Sequence, residues 1–157
     1  MARTREYAGH VLLLITGKSL DPTSVTSALG LPPFKSWRKG ERKRAGNITF
    51  QTRHTEGGWK CLLTGATRRS DLELQLKKWV SILRPKARSL KKLSSQGHYC
   101  RLVWFAATDA TVSLVIPPDL QSDLARLGLH WEISILVADE PRSHSAKQSQ
   151  APDRVID

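Results

Sequence analysis

The chain has 157 residues, enough for one domain with its own core and too few for two. Two cysteines, 39% hydrophobic and 25% charged residues exclude a disulfide scaffold and general disorder, and apolar runs such as Val11 to Ile15 are far short of the roughly 20 residues of a membrane helix. The net charge is +11, with 21 basic and 6 acidic residues through Arg101 but 4 basic and 8 acidic from Leu102 onward, a field that favours an acidic or polyanionic partner.

The elements follow in chain order. Met-Ala-Arg-Thr-Arg-Glu at the N-terminus lacks the apolar stretch of a signal peptide, so a cytoplasmic location is expected. Val11 to Ile15 reads as a buried strand. Asp21-Pro22 opens a helix, with Asp as N-cap and Pro in the first turn, and Gly30 closes it. After Pro32-Pro33 a basic loop runs from Lys35 to Arg44. Ile48–Thr52 and Trp59–Leu63 read as strands, and Glu56-Gly57-Gly58 between them predicts an antiparallel hairpin. Ser70-Asp-Leu-Glu73 has the pattern of a capping box. Leu72, Leu76, Trp79, Val80 and Leu83 then fall on one helical face. Pro85 should end or kink that helix at Arg84, with a further turn or two through Leu90 and Leu93.

His98–Ala106 and Val112–Ile116 are the next expected strands, with a turn at Thr108-Asp109. Pro117-Pro118-Asp119 leads into a helix carrying Leu120, Leu124 and Leu127. The last strand alternates, with Trp131, Ile133, Ile135 and Val137 on one side and His130, Glu132 and Ser134 on the other. The expected order is β-α-β-β-α-β-β-α-β. That is an α+β fold with a ferredoxin-like antiparallel sheet and helices mainly on one face. Residues 1–9 form a short arm, 10–138 a single domain, and 139–157 a polar tail expected to be disordered.

Several positions together resemble a bacterial family known as domain of unknown function 4279. They are Leu20-Asp21-Pro22, Leu29-Gly30-Leu31, Arg38-Lys39-Gly40-Glu41, Gly58-Trp59-Lys60-Cys61-Leu62, Leu83-Arg84-Pro85 and the segment from Leu124 to Ile135. The resemblance brings no agreed enzymatic activity or cofactor with it, and implies for some members a suspected immunity or antitoxin role. The added cations Arg42-Lys43-Arg44 and the polar tail depart from the family pattern.

Chemistry-bearing residues are concentrated in one place. Lys35, Trp37, Arg38, Lys39, Arg42, Lys43 and Arg44 put six cations and one tryptophan within ten residues. Lys and Arg can neutralise phosphates while a tryptophan stacks on a base, and the same set can equally be a solvated loop. Lys77, Lys78, Arg84, Lys86, Arg88, Lys91 and Lys92 extend the basic character along the second helix, with Arg84 and Arg88 taken as part of the binding set. The five histidines and two cysteines lack metal-ligand spacing, so no metal is expected. His98 and Cys100 share a strand face without a third orienting group, and no nucleophile elbow, P-loop or dinucleotide fingerprint occurs.

The expectation is therefore a non-enzymatic protein-binding module of the immunity or antitoxin type, without cofactor or membrane partner. Its basic patch would steer an acidic protein partner, a toxin in the setting the resemblance implies, and an aromatic centre would supply affinity. The alternative is non-specific nucleic-acid binding by the basic loop and helix-two stripe. Trp59, Trp79, Trp104 and Trp131 are expected to pack, with a partly open sheet face at Leu102, Trp104 and His130. An exposed edge strand leaves a homodimer open.

Overall fold

The computed structural model describes residues 8–63, 72–108 and 113–137. Five strands form a mixed sheet in the order β2-β5-β1-β6-β7: β1 Ala8–Gly17, β2 Lys35–Trp37, β5 Gly57–Leu62, β6 Tyr99–Thr108 and β7 His130–Val137. Two more, β3 Arg42–Ala45 and β4 Ile48–Arg53, pair only with each other. The helices are α1 Pro22–Leu29, α2 Leu72–Leu83, α3 Ala87–Ser95 and α4 Pro118–Arg126. A single 3-10 turn, Arg84–Lys86, joins α2 to α3 where Pro85 interrupts the α-helical hydrogen bonding.

β1 is central and buried on both faces, which is why Val11 to Ile15 is continuously apolar rather than alternating. Val11, Leu13 and Ile15 face the helices, together with Trp59, Trp79, Leu83, Leu90 and Leu102. Leu12 and Leu14 face the opposite side, with Val103, Trp37 and Phe105. The helix-start chemistry of α1 is as predicted: the Ser24 N–H donates to Asp21 Oδ2 at 3.2 Å, and Gly30 N–H closes the helix on the Thr26 carbonyl at 2.8 Å. In β7, Trp131, Ile133 and Ile135 stand in register with Leu102, Trp104 and Ala106 of β6, so the alternating pattern places them on the helix side.

β1 pairs with β6 over nearly its whole length, but with β5 only from Leu12 to Gly17. The backbone groups of Gly9 and Val11 on the β5 side would otherwise be buried without partners. Two side chains of α2 satisfy them. Gln75 Oε1 accepts from the Val11 N–H at 2.8 Å, Gln75 Nε2 donates to the Gly9 carbonyl at 3.1 Å, and Trp79 Nε1 donates to the Val11 carbonyl at 3.0 Å. The Gln75 side chain is the large polar group of the core, and it does the work of a missing strand.

Five expectations need correction. The hairpin of Ile48–Thr52 with Trp59–Leu63 does not form, because β4 pairs with β3 whereas β5 pairs with β1 and β2. The hairpin turn lies instead at Gly46-Asn47, where Gly46 adopts φ 55° between the paired Ala45 and Ile48. The sheet departs from the ferredoxin-like antiparallel order, since β7 runs parallel to β6 and occupies its free side. With that side taken, residues 113–117 have no strand neighbour and carry no regular structure. Leu102 and Trp104 are buried on the helix side, so the open sheet face expected there does not exist, although His130 is exposed. Finally, β1 begins at Ala8, inside the expected arm. Ser70 and Asp71 of the capping box, the Asp109 turn residue, the first seven residues of the arm and the tail lie outside the described residues.

Replacing Gln75 with leucine keeps the volume but strips two buried backbone groups of partners. Urea unfolding of Gln75→Leu should show a loss of about 2–4 kcal/mol. A loss of under about 0.5 kcal/mol would mean that this strand substitution carries no stability.

Candidate ligand-binding ribbon

The β3–β4 ribbon is exposed along both strands, and its residues read too polar to be recognised as strands because neither face is buried. It is anchored where it leaves the sheet. Gly40 N–H donates to the His54 carbonyl at 2.8 Å and His54 N–H to the Glu41 carbonyl at 2.9 Å. Arg53 Nη1 donates to the Gly40 carbonyl at 2.7 Å, and Lys35 Nζ to the Arg44 carbonyl at 2.7 Å.

Trp37 is the side chain that fastens the ribbon to the sheet. Its ring stacks on His54 with centroids 4.8 Å apart and planes at 22°. Lys60 Nζ lies 5.5 Å from the ring centroid. The indole also occupies the space over Gly58, where a Cβ would stand 2.0 Å from Trp37 Cζ2, so β5 needs glycine at that position. Gly57-Gly58, read from sequence as a turn, is thus a close-approach site inside a strand.

A concavity of about 410 Å³ opens between this anchor and the ribbon. Lys35, Arg42, Arg44 and Arg53 line it, with Trp37 and His54 as one wall and Glu41 as its acidic member. Arg42 and Arg53 are direct cross-strand partners, a like-charge pair that ordinarily destabilises a ribbon. None of Lys35, Lys39, Arg42, Lys43, Arg44 and Arg53 forms an ion pair among the described residues. Burial holds His54 below the ordinary imidazole range, and the charges of Lys43 and Lys35 push it further down against the opposing pull of Glu41. Burial likewise lowers Lys60, helped by Lys35 and Arg101.

The remaining residues singled out from sequence are placed elsewhere. Arg38 turns away and pairs with Asp21 at 3.0 Å, where Ser24 and then Arg38 lower the carboxyl below its usual range. Lys39 sits exposed in the turn before β3. Arg84 pairs with Asp123 of α4 at 3.2 Å and lines a separate concavity with Lys77 and Asp119. Arg88 is exposed on α3, in the helical layer, whereas Trp37 packs on the other face of the sheet. Loop and helix stripe are therefore not one continuous site. Arg53 and His54 complete the concavity and were not in the binding set expected from sequence, since only the β3–β4 pairing brings them beside Arg42. Gly46-Asn47 is the signal that points to that pairing.

Cys61 and Cys100 are buried free thiols, and burial raises both. Among the described residues, no three His, Cys, Asp or Glu side chains come together as a metal site, and no helix is long and apolar enough to cross a membrane.

The family model described as Domain of unknown function (DUF4279) matches residues 5–138, and the chain belongs to that family. No curated protein and no solved structure matches it.

The His54 environment makes a pH prediction. The native state resists protonating His54, so between about pH 6.5 and its lowered native value the unfolded chain binds more protons and stability falls as pH falls. In an NMR titration the His54 ring should titrate below about 6.5, and Lys43→Ala should move its midpoint upward. A midpoint unmoved by Lys43→Ala would contradict the described electrostatics.

Proposed function

We propose that the chain is a non-enzymatic binding module whose β3–β4 ribbon docks an acidic partner protein, in the manner of an immunity or antitoxin protein. The observation that carries this reading is the composition of the ribbon's surface. Unpaired Arg42, Lys43 and Arg44 lie beside apolar side chains in open solvent, with Ile48 63% and Phe50 45% exposed and Phe34 68% exposed next to β2. The cations would accelerate encounter with an acidic surface, and burial of the apolar side chains would slow dissociation.

The register divides the ribbon into two faces. Arg44 is paired with Thr49 and lines the concavity, while Ala45 and Ile48, one position on, project to the outer face with Phe50. The outer face is the proposed protein contact. Trp37 is less suited to base stacking, because His54 and Gly58 already occupy its surroundings. Both cysteines are buried with raised thiols, which supports a binding role over thiolate chemistry.

Nucleic-acid binding is the second reading, favoured by the ribbon's shape: a two-stranded β-ribbon fits the major groove of duplex DNA, and this one is cationic. The two readings separate on one pair of measurements. A photoreactive phenylalanine analogue at position 50 should crosslink an acidic protein in cells expressing the chain, and the adduct should vanish when Arg42, Lys43 and Arg44 are all changed to Gln. The same analogue at Lys91, exposed on α3, should yield none. In parallel, labelled duplex oligonucleotide should bind weakly at physiological salt. Tight binding with a log–log salt slope near about −5, as for about six phosphates, and no protein adduct would overturn the protein reading for the nucleic-acid one.

A further inference from the structure

The concave side of the ribbon has a chemistry distinct from its apolar outer face. Arg42 and Arg44 come from β3, Arg53 from β4, and Lys35 from β2, so the four cations belong to two separate sheets. Among the described residues Glu41 is the one carboxylate lining the cleft, and it forms an ion pair with none of them. Four positive charges against one leave the cleft strongly positive, and its walls focus that field inward.

Holding Arg42 opposite Arg53 across a ribbon without a core carries a repulsive cost that no ion pair among the described residues offsets. An anion seated between them would convert that repulsion into attraction on both sides. Through Lys35 it would also tie the ribbon to the edge of the main sheet. Guanidinium forks match the oxygens of phosphate in a bidentate fashion, and three of the four cations are arginines. A volume of about 410 Å³ lies in the range of small-molecule sites and exceeds what a single carboxylate fills.

We infer that the cleft between β2 and the β3–β4 ribbon is a binding site for a small phosphorylated anion carrying two or more negative charges. Arg42, Arg44 and Arg53 grip the phosphate oxygens, Lys35 closes the site from the main sheet, and the Trp37–His54 stack forms its rigid wall. Occupancy orders the ribbon. The site does not depend on the partner reading: Arg42 and Arg44 serve both, but a small anion is bound and measured without any protein partner.

Inorganic pyrophosphate is the probe. It is titrated into the full chain at constant ionic strength while backbone amide shifts are followed by NMR, with acetate at equal ionic strength as the screening control. Saturable shifts should cluster at residues 35–37, 42–44 and 53–54, the melting temperature should rise with pyrophosphate, and acetate should do neither. Arg42→Gln with Arg53→Gln should weaken binding by at least about tenfold, the loss of roughly one charge-assisted hydrogen bond. Lys18→Gln, an exposed cation outside the cleft lining, should leave it unchanged. Because the double variant relieves a repulsion it should stay folded; Lys35→Gln, on the main sheet, repeats the test with the Arg42–Arg53 pair intact. No saturable shifts, shifts spread along α2 and α3, an equal response to acetate, or affinity unchanged in both variants would each overturn the proposal.

Discussion

The structure depends on how β1 is satisfied along its β5 side. A central strand buried on both faces cannot leave backbone groups bare, and β5 stops opposite Leu12. Gln75 and Trp79 carry on where the strand ends, so α2 is bound to the sheet by hydrogen bonds as well as by apolar packing. That attachment sets the position of α2, the Pro85 turn sets α3 relative to it, and α4 packs against α2. Gly58 of β5 then provides the seat for Trp37, and through Trp37 the rigid sheet holds the ribbon.

The contrast between the two sheets is a contrast in what holds them. The main sheet buries apolar side chains on both faces of β1 and draws its stability from area removed from water. The ribbon buries almost nothing and depends on its turn, a few backbone hydrogen bonds and one aromatic stack. It also gathers cations that form no ion pair among the described residues and leaves Ile48 and Phe50 in water. An element with so little folding energy of its own and so much unsatisfied charge is well suited to complete its interactions with something outside the chain.

Most of the main architecture was legible in the sequence because burial leaves a periodic mark. The apolar run of β1 and the single face of Leu76, Trp79 and Leu83 are consequences of burial, and the Asp21 cap of an unsatisfied helix-start N–H. What escaped is what burial does not write. Arg42–Ala45 has no alternation because both of its faces are wet, and its strand character shows only in the Gly46-Asn47 turn. Gly57-Gly58 imitates a turn because glycine serves close packing as readily as positive φ. The parallel pairing of β7 comes from tertiary choice between two candidate neighbours for β6, which local pattern cannot rank. For the site, the cation cluster was visible, but its partition into Arg38 at Asp21, Arg84 at Asp123 and a cleft completed by Arg53 and His54 is set by fold geometry.

The central claim is that a rigid, α2-clamped sheet presents a ribbon with little stability of its own as the binding element. Native-state amide hydrogen exchange on the free chain tests it most directly, because it ranks each segment by the free energy of opening. Amides of Val11 to Ile15 should be among the slowest, opening only with global unfolding, and those of residues 42–53 should exchange orders of magnitude faster. Ribbon amides as protected as those of β1 would show the ribbon to be an integral part of the folded core, and the account given for it would be wrong.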